Sequence, residues 1–335
     1  MEMRLLGTTG VRVSQLCFGT MSFGDTADES TSARLYRRCR EAGINIFDCA
    51  NVYAGGRSEE ILGRLIADER DHVVITSKVG FPMGRGANDR GLARRHLVAS
   101  VDQSLRRLAT DRLDILFLHT VDPDTPMEET LRGLDLLVSR GKVLYVGASN
   151  WAAWQIATGL GLSALLDLPA FSCVQPMYNL VKRQAEVEIL PLAQARGLGV
   201  VTYSPLGGGL LSGKYGVQER PDRGRLVDNE MYRARYGSPS NYEVAMRLTE
   251  LAHKHGVHPV TLAVAWVAHH PAVTAPILGA RTVDQLEPAL AAADLAMGAE
   301  LYQQLSALSP APPPPTDRTE EREGVTYKGS DEKYK

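Results

Sequence analysis

The sequence is poor in cysteine and has no hydrophobic run long enough to cross a membrane. Its 335 residues include only four cysteines, and no two of them form a C-x-x-C pair. Scattered thiols of this kind are typical of reduced, mostly buried cysteines in a cytosolic protein. The first four residues also lack the apolar core of a signal peptide, so we expect a cytoplasmic protein with no membrane partner. The cysteines are Cys17, Cys39, Cys49 and Cys173.

A large excess of charge of either sign is also absent. Lysine and arginine together number 37, and aspartate and glutamate number 39, which leaves a formal net charge of −2. A chain this close to neutral gives no reason to expect nucleic acid or an anionic membrane surface as a partner. The histidines at positions 253, 255 and 258 have no carboxylate at ligand spacing after them, so we expect no metal site.

The glycine fingerprint G-x-G-x-x-G is missing after the early apolar runs, which argues against an open, doubly wound sheet. The chain instead alternates short apolar runs with amphipathic segments of helical period. Eight such runs, each followed by a helical segment, predict an α/β fold of the closed (β/α)8 TIM-barrel type. The predicted strands are Leu16–Thr20, Ile44–Asp48, Val73–Lys78, Ile115–His119, Val143–Ser149, Ser172–Gln175, Gly199–Tyr203 and Thr274–Leu278.

We predict a single barrel domain over residues 1–309 and a proline-rich, charged C-terminal tail over residues 310–335. The turn sequence Gly-Thr-Thr-Gly, between two short apolar runs, predicts an N-terminal β-hairpin within residues 1–15. A long segment after strand seven, residues 206–240, is rich in glycine and arginine with little periodicity. We expect it to be a loop that closes over a ligand.

The segment 44–63 carries the first chemical signal. A short apolar run from Ile44 ends at Asp48, a carboxylate that an apolar core would not tolerate without a partner. The polar loop that follows carries Tyr53, and Ser58 is expected to cap the helix that begins there. A strand that delivers a carboxylate and a phenol to the mouth of a barrel indicates an active site, provided that other strands supply partners.

Two other strand ends supply such partners, Lys78 and His119. Function in a (β/α)8 barrel collects at the carboxyl ends of the strands, so these side chains are expected to meet Asp48 and Tyr53 there. Asp48 should keep the buried Lys78 charged. That ammonium should lower the pKa of Tyr53, whose ordinary value of about 10 is too high for efficient proton donation at neutral pH. His119 could orient a substrate oxygen.

These four residues, in this order and on these strands, resemble the catalytic tetrad of the aldo-keto reductase superfamily. The resemblance extends to about Leu308 and covers both bacterial-type NADP-dependent oxidoreductases and the channel beta-subunit-like branch. The hairpin resembles the lid that closes the barrel floor in that family. The motifs that carry the resemblance are FDCANVY (47–53), LRRLATDRLDILFLH (105–119), GKVLYVGASNW (141–151), YSPLGGGLLSGKY (203–215) and ILGAR (277–281).

The resemblance implies reduction of an aldehyde or ketone by hydride from a nicotinamide cofactor bound without a Rossmann fold. Tyr53 would be the general acid. Lys78 with Asp48 would lower its pKa, and His119 would position the carbonyl. The implied contacts of the nicotinamide are Ser149, Asn150, Gln175 and Tyr203. The other implied cofactor-binding residues are Gly19, Thr20, Met21, Ser204, Pro205, Leu206, Gly207, Gly209, Lys214, Arg225, Gly279, Ala280, Arg281 and Gln285.

Within that set, the glycine-rich loop 204–209 is expected to wrap the pyrophosphate, because glycine lets backbone N–H groups come close. Lys214 and Arg225 would add positive charge there. Some relatives carry a lysine where this chain has Gly279, which leaves Arg281 as the candidate for a 2′-phosphate. A guanidinium at that place favours NADP(H) over NAD(H).

The chain departs from the family pattern at Pro288 and Ala289, where relatives often carry an acid and an asparagine against the adenine. The adenine contacts must therefore differ. The candidate walls of the substrate pocket are Phe23, Phe81, Met83, Trp151 and Tyr178.

Apolar walls suggest an uncharged or aromatic aldehyde, whereas Arg85 and Arg90 could contact an acidic or phosphorylated substrate. Two alternatives stay open: a reductase of nucleotide-linked keto-sugars, and an NADP(H)-binding regulatory subunit that acts through a partner with little turnover. The sequence leaves the physiological substrate, the direction of the reaction and the oligomeric state open.

Overall fold

The fold is known from a computed structural model that describes residues 1–218 and 220–316, so the predicted tail after residue 316 lies outside the described residues. Two short antiparallel strands come first and eight parallel strands follow. The strands are β1 (Met3–Leu5), β2 (Arg12–Ser14), β3 (Cys17–Gly19), β4 (Ile46–Asp48), β5 (Val74–Val79), β6 (Leu113–Leu118), β7 (Val143–Ser149), β8 (Phe171–Gln175), β9 (Gly199–Thr202) and β10 (Ala275–Leu278).

Strands β3 to β10 form a closed barrel in which neighbours in the chain are neighbours in space. Strand β10 closes the ring, because it pairs in parallel with β9 on one side and with β3 on the other. Each of the eight predicted strands overlaps an observed one, and the predicted (β/α)8 barrel is confirmed. The predicted domain limits at residues 1–309 stay a prediction.

Helices pack around the outside of the barrel and follow its strands in the order typical of βα units. The helices are α1 (Glu29–Glu41), α2 (Arg57–Ile66), α3 (Arg94–Leu108), α4 (Met127–Ser139), α5 (Ala153–Leu166), α6 (Ile189–Arg196), α7 (Arg225–Asp228), α8 (Glu230–Tyr236), α9 (Pro239–Lys254), α10 (Pro259–His269), α11 (Val283–Leu290) and α12 (Ala299–Ser306). Among the described residues, no helix is both long enough and apolar enough to span a membrane.

Helix α2 begins differently from the expectation that Ser58 caps it. Gly56, in the left-handed conformation, is its N-cap residue, and no side chain caps the helix. The Ser58 hydroxyl is fully buried and donates a hydrogen bond to the carbonyl oxygen of Thr20 instead, at 2.8 Å. The predicted cap is therefore wrong, since the serine joins the helix to the end of the first barrel strand.

The segment 206–240 is more regular than its sequence indicates, because it contains α7, α8 and a 3-10 turn over Gly207–Ser212. Helix α8 starts where the Asn229 side chain accepts a hydrogen bond from the backbone N–H of Tyr232. Tyr232 and Tyr236, on the inner side of α8, are both buried. Helix α8 has only seven residues, so these two aromatic positions are too few to reveal a helical period in the sequence.

The N-terminal hairpin closes the amino end of the barrel. Leu6 and Val13 are fully buried and belong to the cluster of apolar side chains inside the barrel. The turn between them meets the chain just before β9, where the backbone N–H of Thr8 donates to the carbonyl oxygen of Gly197 at 3.0 Å. The hairpin therefore blocks the floor and leaves the carboxyl end of the strands as the open face.

Alternation along the strands separates two apolar layers. Ile46 points into the barrel and packs in the inner cluster, whereas Phe47 points outwards and packs against the helices. On β5, Ile75 and Val79 likewise face the helices. Side chains alternate between the two faces of a strand, so Lys78, directly before Val79, faces the inside of the barrel. Because it lies near the end of β5, it points into the mouth of the barrel.

The close contact of α2 with α3 generates a test of this packing. A methyl group added at Gly63 would lie 2.5 Å from the backbone oxygen of Leu108, an atom that cannot rotate away. We expect Gly63→Ala to lower the free energy of unfolding by about 1–3 kcal/mol, as overpacking does. The measurement is urea denaturation followed by circular dichroism.

The matched control is Gly161→Ala on α5, where an added methyl group would meet no atom within 4 Å. There we expect stabilisation by about 0.5–1 kcal/mol, because alanine is the better helix former. Equal changes of the same sign at both positions would contradict the packing described for α2 and α3.

Candidate active site

The four reactive side chains predicted from the sequence come together at the open end of the barrel. Asp48 is the last residue of β4, and Lys78 lies near the end of the neighbouring strand β5. His119 directly follows β6, where its backbone N–H donates to the carbonyl oxygen of Val79 at 2.8 Å. Tyr53 begins a 3-10 turn five residues after β4. Three adjacent strands and one turn therefore place the cluster.

Lys78 is the centre of the cluster. Its Nζ lies 2.5 Å from Oδ2 of Asp48 and 3.2 Å from the phenol oxygen of Tyr53. It also donates to the carbonyl oxygen of Cys49 at 2.7 Å. These three acceptors account for the three donors of an ammonium, and Lys78 is only 1% exposed. The charge is thus buried, but every one of its hydrogen bonds is formed.

The second oxygen of Asp48 is also fully engaged. The Thr76 hydroxyl donates to Oδ1 at 2.7 Å, and the Gln175 amide nitrogen donates to the same atom at 2.8 Å. Strands β5 and β8 therefore both hold the carboxylate in place. A buried charge is tolerated when it is paired and hydrogen-bonded, which is the state of this aspartate.

The positive charge of Lys78 is stable at neutral pH. Burial acts to lower the pKa of Lys78, but the Asp48 carboxylate and the Tyr53 phenol outweigh burial and raise that pKa above its ordinary value. The amine therefore keeps its proton, as expected from the sequence.

The pKa of Tyr53 departs from the expectation. Burial raises it above its ordinary value, and the Lys78 ammonium lowers it only in part. The negative charge of Asp48 also acts to raise it, because a nearby carboxylate disfavours the negatively charged phenolate. The predicted net lowering is therefore wrong. The phenol therefore keeps its proton at neutral pH.

His119 is neutral in this site. Burial lowers the pKa of its imidazole to about 2, and the Lys78 charge acts in the same direction. Its ring stands edge-on to the Tyr53 ring, with 6.2 Å between the centroids, and 4.5 Å from the ring of Phe81. Its Nδ1 is buried without a hydrogen-bond partner among the described residues. A neutral imidazole beside the phenol can bind or orient a polar substrate atom but does not compete for the proton.

A row of amide and hydroxyl groups borders the tetrad on the side of β7 and β8. The Tyr203 hydroxyl donates to the Asn150 side-chain oxygen at 2.6 Å, and the Asn150 amide donates to the carbonyl oxygen of His119 at 2.8 Å. The Ser149 hydroxyl donates to the carbonyl oxygen of Gln175 at 3.0 Å. The four predicted contacts of the nicotinamide amide and ring thus lie together, next to the tetrad.

The glycine-rich loop after β9 turns sharply. Ser204 and Gly207 have φ values of +59° and +56°, and Gly208 and Gly209 are also left-handed, at +68° and +102°. A Cβ at Gly209 would meet no atom within 4 Å. At Gly209 the backbone of this loop therefore borders open space, as expected of a loop that approaches a phosphate group closely.

Three cations lie near the same loop. Burial lowers the pKa of Lys214, and the charges of Arg281 and Arg225 lower it further. None of the three forms an ion pair with a carboxylate within residues 1–218 and 220–316. Mutually repelling cations without acidic partners are suited to bind a polyanion such as a dinucleotide phosphate.

The remaining predicted cofactor contacts lie at the junction of β3 with β10. Gly19 ends β3 and residues 20 and 21 follow it, whereas residues 279–281 follow β10. Gln285 accepts a hydrogen bond from the backbone N–H of Arg281 at 3.1 Å, so its side chain lies against this segment. Ala289 is buried in the core and Pro288 has no polar side chain, so neither position offers an adenine a hydrogen bond.

The five predicted walls of the substrate pocket divide into three groups. Phe81 is 37% exposed and contacts His119, and Trp151 lines a cavity of about 370 Å³ together with Asn150 and Tyr203. Met83 instead lines a different cavity, between its own loop and α3.

The other two predicted walls are not at the mouth. Phe23 is fully buried against Phe18, with 5.8 Å between ring centroids. Tyr178 is fully buried against Trp266, and its hydroxyl donates to Glu186 at 2.7 Å. Neither side chain has surface to offer a substrate, and their assignment to the pocket is corrected.

Some residues of the site were not predicted. Thr76 lies two residues before Lys78 on the same face of β5, a spacing that could have identified it as a support for Asp48. Asn51 is 1% exposed, and neither atom of its amide has a hydrogen-bond partner among the described residues. No sequence signal marks Asn51. In the described part of the chain, no three His, Cys, Asp or Glu side chains could hold a metal ion.

Comparison with known proteins gives consistent matches over most of the chain. The model of the aldo/keto reductase family matches residues 15–310. A probable voltage-gated potassium channel subunit beta of Oryza sativa subsp. japonica is 38% identical over 304 residues, 88% of this chain and 92% of that protein. A protein of the same description in Arabidopsis thaliana has the same identity and coverage. The uncharacterized oxidoreductase YrpG of Bacillus subtilis (strain 168) is 35% identical over 327 residues, 93% of this chain and 97% of that protein.

The neutral state of His119 generates a pH prediction. The folded pKa of about 2 is below the ordinary value of about 6.5 that an unfolded chain shows, so the unfolded state binds a proton that the folded state refuses. Below pH 6.5 this difference destabilises the fold, by at most about 1.4 kcal/mol per pH unit, and above pH 6.5 it has no effect.

We therefore expect His119→Asn to lose less stability than the unmodified protein between pH 6.5 and pH 4.5. The measurement is urea denaturation at several pH values in that interval. The other histidines are the same in both proteins, so the difference between the two curves isolates residue 119. Parallel curves would show that His119 becomes protonated in the folded protein.

Proposed function

Because the chain belongs to the aldo/keto reductase family, we propose that this oxidoreductase uses NADPH to reduce an aldehyde or ketone to the alcohol. The observation that carries the proposal is the contact of 3.2 Å between the Tyr53 phenol and the Lys78 ammonium, with Asp48 bonded to the same amine at 2.5 Å. This arrangement puts a protonated phenol beside a fixed positive charge at the open end of the barrel.

The residues around the tetrad fit a nicotinamide dinucleotide phosphate. Ser149, Asn150 and Gln175 would hold the amide of the nicotinamide, and Tyr203 would stack on its ring. Arg281 and Lys214, cations without acidic partners in the described part of the chain, would bind the phosphates at the other end. When bound, the reduced cofactor supplies a hydride to the carbonyl carbon.

The protein supplies the proton. In the proposed reaction the carbonyl oxygen accepts the Tyr53 proton as negative charge develops on it, and an O–H bond forms. The phenolate left on Tyr53 is stabilised by the Lys78 ammonium 3.2 Å away, which Asp48 holds in the charged state. Solvent then restores the proton. His119, being neutral, directs the carbonyl oxygen towards the phenol without taking its proton.

The groups at the mouth favour an uncharged carbonyl compound with an apolar or aromatic substituent. Phe81 is exposed there, in contact with His119, and Trp151 lines the adjoining cavity. We further propose that the reaction takes place in the cytoplasm. In support, all four cysteines are free and buried, as in proteins of reducing compartments.

A second candidate is an NADP(H)-binding subunit that acts through a protein partner with little turnover. It is favoured by the descriptions of the two plant relatives as probable beta subunits of a voltage-gated potassium channel. Tight NADPH binding with no turnover on a broad panel of aldehydes and ketones would select this candidate, whereas turnover on that panel would select the reductase.

The role of Tyr53 is tested by Tyr53→Phe, which removes the proton donor and keeps the ring. We expect carbonyl reduction, followed as loss of NADPH absorbance at 340 nm, to fall by about 100-fold or more, in line with the loss of a general acid. NADPH binding, followed by its fluorescence, should change little because the ring remains. A variant that reduces carbonyl compounds at the original rate would refute the assignment of Tyr53 as the acid.

The cofactor preference is tested by Arg281→Ala. Loss of a guanidinium that binds a phosphate should weaken NADPH binding by about 1.5–3 kcal/mol, which is roughly 10-fold to 150-fold in Kd. NADH lacks the 2′-phosphate, so its affinity should be nearly unchanged. Arg196, at the far C-terminal end of α6, provides a matched control as Arg196→Ala. Equal losses of NADPH and NADH affinity in Arg281→Ala would contradict the assignment.

A further inference from the structure

A buried ion pair lies directly behind the tetrad and takes no part in the proposed chemistry. Glu59, on α2, is fully buried, and its Oε2 accepts a hydrogen bond from Nε of Arg107, on α3, at 2.7 Å. The Arg107 side chain is 17% exposed. Taking two charges out of water costs several kcal/mol per ion, so this pair depends on the hydrogen bonds that its two side chains make.

One end of the pair holds the strand that carries the amine. The Ser77 hydroxyl donates to Oε1 of Glu59 at 2.6 Å. Ser77 is the residue before Lys78 on β5, and consecutive residues of a strand point to opposite faces. The outward bond of Ser77 to Glu59 therefore anchors the backbone from which Lys78 points inward to the phenol.

The other end of the pair lies under the turn that carries the phenol. Ala54, Gly55 and Gly56, the three residues after Tyr53, all have left-handed φ values of +49°, +64° and +99°. A left-handed alanine costs about 1–2 kcal/mol, so the surrounding structure must hold this turn in place. A Cβ at Gly56 would lie 2.7 Å from Cδ of Arg107, which shows that the turn lies directly on the arginine side chain.

We propose that the Glu59–Arg107 pair sets the separation between the Tyr53 phenol oxygen and Lys78 Nζ, and that both residues are positioning residues of this site. The pair reaches Lys78 through Ser77 and reaches Tyr53 through the turn at Gly56. Neither charged side chain contacts the reacting atoms.

The pair Arg94–Glu129 shows the contrast on the same helix. Its Nη2–Oε2 distance is 2.6 Å, but both side chains are substantially exposed, at 47% and 35%, and they join α3 to α4. No contact of that pair leads to Tyr53 or Lys78 among the described residues. Arg94→Met is therefore the matched control for Arg107→Met.

The first readout is independent of turnover and follows the ionisation of the Tyr53 phenol. The full-length protein is labelled with 3-fluorotyrosine, whose phenol is more acidic than that of tyrosine, and titrated by ¹⁹F NMR, with Tyr53→Phe to assign the signal. The titratable groups that face this phenol are Lys78, Asp48, Cys49, His119 and Tyr203.

If Arg107→Met lets the phenol move away from the ammonium, the midpoint for Tyr53 should rise by about 0.5–1 pH unit, because the charge that favours the phenolate acts over a longer distance. Ser77→Ala, which leaves the ion pair intact and changes little volume, should shift the midpoint in the same direction by a smaller amount. Arg107→Lys, which keeps the charge, should restore part of the shift. Arg94→Met should leave the midpoint unchanged.

The second readout rests on the proposed function. In the same series, kcat for carbonyl reduction should fall by about 10-fold to 100-fold in Arg107→Met, since misplacement by about 1 Å has effects of that size. KM for NADPH should stay within about twofold, because the variant does not touch the cofactor contacts.

The two readouts test different proposals, so a negative result in one can be told apart from a negative result in the other. If Arg107→Met and Ser77→Ala lose thermal stability but leave the Tyr53 midpoint unchanged, the pair only links the two helices. That result would overturn the proposal. Absence of turnover in the unmodified protein would overturn the proposed reductase function instead, and the NMR titration would still decide whether the pair positions Tyr53.

Discussion

A single ammonium held inside the rim of the barrel is the constraint on which the rest of the site depends. Lys78 is buried, and it keeps its charge because Asp48, 2.5 Å away, and the Tyr53 phenol together outweigh the effect of burial on its pKa. Asp48 in turn depends on hydrogen bonds from Thr76 and Gln175, on two different strands. An unpaired charge at this depth would cost several kcal/mol, so the charge of the amine depends on the partners that the neighbouring strands bring to it.

The charges of the open face form two sets with opposite requirements. At the tetrad every charge has its partner inside the protein, and the ammonium donates to a carboxylate, a phenol and a carbonyl oxygen. Beyond the glycine-rich loop, Lys214, Arg225 and Arg281 repel one another and have no acidic partner in the described part of the chain. In the proposed function, the first set is preorganised for proton transfer, whereas the second would be stabilised by binding the phosphates of the cofactor. The hairpin closes the opposite end, so that both sets share the face that remains open.

Much of the fold and of the central site could be predicted because each depends on local pattern. Eight apolar runs of strand length, separated by helical periodicity, determine a closed barrel, and the residue types at strand ends determine which groups reach its mouth. Asp48 and Lys78 were identifiable for that reason alone. The segment 206–240 was harder, since α7 and α8 are too short to show a period and form only where Tyr232 and Tyr236 find a core to enter.

By itself the sequence determined the strand order, the closed barrel and the reactive residues at its open end, because these follow from the spacing of apolar and polar side chains. Only the tertiary structure decided the direction in which the pKa of Tyr53 moves, since burial by distant elements outweighs the neighbouring charge. It also decided that Phe23 and Tyr178 pack in the core and that Ser58 bonds to Thr20 rather than capping its helix. Desolvation and packing depend on residues far apart in the chain, which no local pattern contains.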